Sequence, residues 1–148
     1  MNAQSGQSLI EMLGVMAVMG LIAVATLNMY QTARTRHARF AAEQDLERLV
    51  ENTRIIYSGR KNYAGVSKGL LIKMDALKTE KIGGRDFEVA ADESGKTFSI
   101  IFHDMDFGDC AYFATKKFDW ITAVAVNGAT DKPQCAESTA NKVEFISR

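Results

Sequence analysis

Few residues in this 148-residue chain have the types and spacing that chemistry requires. Glu11 stands inside the edge of an apolar run, and His37 and His103 stand alone. Cys110 and Cys135 are the two cysteines, and Asp104, Asp106 and Asp109 crowd one short stretch. Isolated histidines have no partner for general-base or metal chemistry. The two cysteines are too far apart for a zinc site, which takes about four ligands at short spacing. They form one disulfide in an oxidising compartment and remain free thiols in the cytosol. The aspartates suggest a calcium loop, but Gly108 precedes the third one and no glutamate closes the loop. No Ser-His-Asp set and no glycine-rich phosphate loop occurs. The expectation is a chain that is not an enzyme and needs no cofactor or metal.

The elements around these residues are more informative. With 18 basic and 18 acidic side chains the formal net charge is zero, so no long-range field draws the chain to nucleic acid. Arg34, Arg36, His37 and Arg39 make a basic patch without an aromatic stacking platform. They are expected just outside a membrane, paired with acidic residues of neighbouring helices.

From Met12 to Ala33 no residue is charged, and Met12 to Ala25 has no polar side chain. As a helix this run extends about 33 Å, enough to cross a hydrocarbon core of about 30 Å. A plain transmembrane anchor fits that length. A secretory signal fits the small-residue pattern Ala23-Val24-Ala25, but the leader before the run lacks a basic residue. Neither accounts for Glu11, since a carboxylate within a membrane helix costs roughly 2.5–3.5 kcal/mol on insertion scales.

A third reading uses all of these features. Gly6-Gln7-Ser8-Leu9-Ile10-Glu11, followed by Met12-Leu13-Gly14-Val15-Met16, closely resembles the type IV prepilin signature. The resemblance implies a membrane peptidase cutting between Gly6 and Gln7, N-methylation of Gln7, and filament assembly through Glu11 and a retained apolar helix. Two features depart from the family pattern: the leader has no Lys or Arg, and Gln7 stands where an apolar residue is common. Arg34, Arg36 and Arg39 also count against an outside location by the positive-inside rule, although long downstream domains translocate largely regardless of charge. The domains expected are a leader over 1–6, a transmembrane and assembly helix over 7–33, and a globular domain over 34–148.

Beyond the apolar run Leu46, Leu49, Val50, Thr53, Ile56 and Tyr57 recur at three- and four-residue spacing, with Ala38 and Ala42 upstream. Glu43, Asp45, Glu47, Arg48, Glu51 and Arg54 take the other faces. The expectation is one helix of about 50 residues, ended by Gly59. Residues 60–84 read as a connector with a short helix near Lys68–Leu77. Phe87–Ala91 and Thr97–Phe102 read as a hairpin around Asp92-Glu93-Ser94-Gly95-Lys96. Asp109–Lys117 reads as a short helix capped by Asp109, Trp120–Val126 as a third strand before Asn127-Gly128, and Val143–Ile146 as a fourth. Four strands against the amphipathic half of a long helix make an α+β fold.

A cysteine opening a short helix, a strand ending in Asn-Gly and a second cysteine before the last strand are similar to the type IVb pilins. This implies a pilin fold, a disulfide between Cys110 and Cys135, and subunit contacts made by the exposed region they bound. The function implied is a structural subunit of a type IV pilus. The partners implied are identical or homologous subunits, prepilin peptidase and an inner-membrane assembly platform, with no specific nucleic acid. The chain would sit in the inner membrane before assembly and in an extracellular filament afterwards. The alternatives are a type II secretion pseudopilin, or a soluble domain released after Ala25.

Overall fold

The computed structural model describes residues 7–138 and 140–148. The leader over 1–6, with Gly6, lies outside the described residues. Helix α1 spans Gln7–Tyr57, 51 residues against the roughly 50 read from the sequence. The chain divides into two units, one reaching Ala38 and the other Arg39–Arg148.

In the first unit α1 exposes every described side chain. Leu9, Ile10, Leu13, Met16, Leu21 and Met29 are all more than half exposed, although each is strongly apolar. An 18-residue window of this helix reaches a mean hydropathy of 2.2, and none of it is buried. Such a surface is long and apolar enough to cross a membrane, and it is unstable in water without lipid or another apolar helix.

The second unit starts where α1 turns amphipathic. Ala42, Leu46, Leu49, Val50, Thr53 and Tyr57 are buried at three- and four-residue spacing, so one stripe faces a core. Ala38 is exposed, so the stripe starts later than read from the sequence, while Ile56 is half-buried and packs against the same core. The Thr53 hydroxyl donates to the Leu49 carbonyl at 2.6 Å, which makes its burial tolerable.

The core's other wall is a four-stranded antiparallel sheet of β1 (Phe87–Ala91), β2 (Phe98–Met105), β3 (Ile121–Val126) and β4 (Asn141–Ser147). The strands lie in the order β1-β2-β4-β3. Alternation along β4 buries Asn141, Val143, Phe145 and Ser147, while Lys142, Glu144 and Ile146 remain half-exposed. Phe102, Phe113 and Phe118 each meet Phe145 nearly edge-on, an arrangement aromatic quadrupoles favour. The α+β fold expected from the sequence is the one observed.

Some boundaries differ. β2 runs on to Met105 through a bulge, where Asp104 takes a left-handed φ of 52°. The extra residue returns Met105 to the core, which a strict alternation would have turned outward. Helix α2 covers only Lys68–Lys73, and Asp75 at a φ of 57° stops it before Leu77. Helix α3 spans Phe107–Thr115, earlier than expected, and its cap is Asp106 rather than Asp109. At Asn127-Gly128 both φ angles are positive, the conformation of a tight primed turn. Only glycine and, less freely, asparagine or aspartate adopt it readily.

Candidate assembly site

The apolar surface of the first unit carries one carboxylate, Glu11, one turn into α1 and exposed. Among the described residues no cation lies within ion-pair range of it. Arg34 follows 23 residues later, about 34 Å along the helix. Gln7 is the first residue of α1, so a chain cut before it would begin directly on the helix. Any positive charge that neutralises Glu11 within an apolar layer must come from outside this stretch of its own chain.

In the second unit three connections hold α3. The first is covalent: Cys110 and Cys135 are bonded, with their Cα atoms 6.0 Å apart. The second is ionic. Arg39 donates from Nε to Asp109 Oδ1 at 2.8 Å, and Arg85 pairs with the other Asp109 oxygen and, at 3.1 Å, with Asp106. Asp106 also accepts the Asp109 backbone N–H at 2.8 Å, and that bond, aided by Arg85, holds its carboxyl below the ordinary range. The third is Glu43, which accepts from the Tyr112 hydroxyl and pairs with Lys116 at 3.0 Å. Glu43 raises the pKa of both Tyr112 and Lys116.

The loop between β3 and β4 is held from within by Asn141, which is fully buried. Its Nδ2 donates to the carbonyls of Met105, Ala136 and Ser138 at 3.0–3.1 Å, and its Oδ1 accepts from the Ala136 N–H at 2.7 Å. Asn127 adds a bond to Asn141 Oδ1 at 3.1 Å and accepts from Lys142 N at 2.9 Å. One buried amide and one disulfide therefore shape an otherwise exposed loop.

Of the residues singled out in the sequence, Cys110 and Cys135 are brought together and Glu11 is exposed. Gly6 lies outside the described residues. Arg39, expected to serve a neighbouring helix, is instead engaged by Asp109 of its own chain. Asp106 and Asp109 are committed to a helix cap and two arginines. Arg85 drew no notice in the sequence because Asp106 and Asp109 lie 21 and 24 residues away. Asn141 drew none because the partners of its amide nitrogen are backbone carbonyls, which residue types do not reveal.

The first 27 residues match the prokaryotic N-terminal methylation motif. The matched segment is similar to the N-terminal segment of type IV pilin-like prepilins. No curated protein matches the chain. The prepilin motif implies cutting by prepilin peptidase, anchoring in the membrane and assembly into multi-subunit filaments. It marks structural chains rather than enzymes. A prepilin also accounts for an exposed apolar helix, since lipid covers it before assembly and other helices cover it afterwards.

Proposed function

We propose that this chain is the structural subunit of a type IV pilus of the IVb branch, cut between Gly6 and Gln7, N-methylated at Gln7 and exported into an extracellular filament. One observation supports it most: a lone carboxylate, Glu11, at the fifth position after Gly6 on the exposed apolar part of α1. An unpaired charge in an apolar layer is costly. The new amine at Gln7 on a neighbouring subunit can lie at the depth of Glu11 and pair with it. Apolar attraction alone gives contact without register, because lipid tails solvate the helix equally well. The ion pair would supply the register. The domain boundaries follow the same reading, with a leader over 1–6, an assembly helix over 7–33 and a surface domain over 34–148. The bonded cysteines and the arginine-bound aspartates favour a pilus subunit over a pseudopilin relying on calcium.

Electron microscopy of cells carrying Glu11→Ala or Glu11→Gln tests it. Both variants should insert, be cut and fold, yet give few or no filaments. Filaments of normal number and length at unchanged subunit level would contradict the role of Glu11.

A further inference from the structure

The outer end of the apolar helix is not uniformly apolar. Asn28, Gln31, Thr32 and Thr35 fall on one face of α1, within an arc of about 100° at helical spacing. The two hydroxyls spend their protons on their own helix. Thr32 donates to the Asn28 carbonyl and Thr35 to the Gln31 carbonyl, each at 3.0 Å. Their lone pairs remain open as acceptors. The amides of Asn28 and Gln31 are the opposite case, exposed and with no side-chain hydrogen bond among the described residues. An open groove of about 450 Å³ runs past Asn28, Met29, Thr32, Ala33 and Arg36. This face thus presents free amide donors and free hydroxyl acceptors, one turn apart, twice over.

The spacing repeats at the other end of the helix. Gln7 to Glu11 is four residues, as are Asn28 to Thr32 and Gln31 to Thr35. If Glu11 of one helix lies level with the Gln7 amine of the next, the helices are offset by about 6 Å. That offset sets Asn28 of the second helix level with Thr32 of the first, and its Gln31 level with Thr35.

We propose that the Asn28–Thr35 face is a second register lock between copies of this chain, in which Asn28 and Gln31 amides donate to the Thr32 and Thr35 hydroxyls of a neighbour shifted by four residues. It rests on the Glu11 pairing proposed above. Asn28 lies about 32 Å along the helix from Gln7, at the outer margin of a hydrocarbon core of about 30 Å. In the membrane its amide reaches interfacial water. In a packed bundle of helices that water is excluded, and buried amides need protein partners. The lock therefore operates on assembly and leaves insertion unaffected.

Cysteine pairing in filaments of the full chain tests it. Chains carrying Asn28→Cys and chains carrying Thr32→Cys are co-expressed, oxidised mildly, and the linked peptides are identified by mass spectrometry. The expected result is a 28-to-32 link in the mixture, at least tenfold stronger than any 28-to-28 link from Asn28→Cys alone. Equal 28-to-28 linkage, or no linkage between these positions, overturns the offset. In uncross-linked cells Asn28→Leu should lower filament yield several-fold at unchanged subunit level, and Asn28→Gln should restore it. Full yield with Asn28→Leu overturns the hydrogen-bonded lock. The Glu11 reading fails separately: normal Glu11→Gln filaments that keep the 28-to-32 link would sink that pairing and support this register. Loss of Glu11→Gln filaments together with 28-to-28 links in the parent would do the reverse.

Discussion

Arg39 on α1 and Asp109 on α3, 70 residues apart, are joined by a hydrogen bond of 2.8 Å between Nε and Oδ1. The bond fixes the start of α3, and with it Cys110, against the long helix. Asp109 is only 12% exposed at its side chain, so the pair is partly shielded from water. Removing one partner strands the others. Asp109→Ala leaves Arg39 and Arg85 without this acceptor and should cost about 2 kcal/mol. Urea unfolding of the detergent-solubilised subunit measures it. A double-mutant cycle with Arg39→Leu should show clear coupling, whereas additive effects would mean the bond contributes little.

Asn141→Ala is expected to be at least as damaging. The substitution leaves the Ala136 N–H and several carbonyls without their partner in a buried place, at about 1–3 kcal/mol for each group left unsatisfied. Hydrogen exchange should speed up first at Ala136 and Lys142, with β2 affected later. Unchanged exchange there would show that the disulfide alone holds the loop.

Much of the fold was legible in local sequence, and the exceptions share a cause. β1 was bounded correctly at Phe87 and Ala91, because alternation and a turn cluster delimit it on both sides. The 51-residue helix was legible because its apolar run passes into a three- and four-residue pattern without interruption. The cap of α3 was misread because Asp106 and Asp109 are equally good caps by residue type. Arg39 and Arg85, both distant in sequence, engage Asp109 and leave the cap to Asp106. The end of β2 was misread because strict alternation beyond Phe102 turns Met105 outward, and the bulge that returns it to the core has no local signal. At the candidate assembly site Glu11 stands out by residue type alone, since a carboxylate in an apolar run is costly. The ionic anchoring of α3 was not legible, because each of its pairs joins residues at least 21 positions apart.

Breaking the covalent link should matter as much as breaking the ionic one. Cys110 and Cys135 are 25 residues apart, and closing such a loop contributes about 3.5 kcal/mol on the chain-entropy account. Cys110→Ser should lower subunit abundance and filament yield. Quantitative thiol labelling of native filaments without reductant would contradict the bond itself.

Acid and alkali should loosen α3 through different groups. Asp106 has a depressed pKa, so its contribution is present above its unfolded value of about 3.9 and is lost as pH falls through the folded value. Tyr112 and Lys116 have raised pKa values through Glu43. Their contributions are present below their unfolded values of about 10 and are lost as pH rises through the folded ones. Thermal melting of the solubilised subunit, followed by Trp120 fluorescence, should be flat from about pH 5 to 9 and decline on both sides. Glu43→Gln should flatten the alkaline decline and leave the acid one. Identical alkaline declines in both proteins would remove Glu43 from the account.

The central claim, a prepilin cut and assembled through its retained helix, is tested most directly by the intact mass of the subunit purified from surface filaments. The mass should equal residues 7–148 with one disulfide and one added methyl group, and fragmentation should place that methyl on Gln7. A subunit retaining Met1, or one beginning at Thr26, would contradict the account, because the amine proposed to pair with Glu11 would then not exist at the head of the helix.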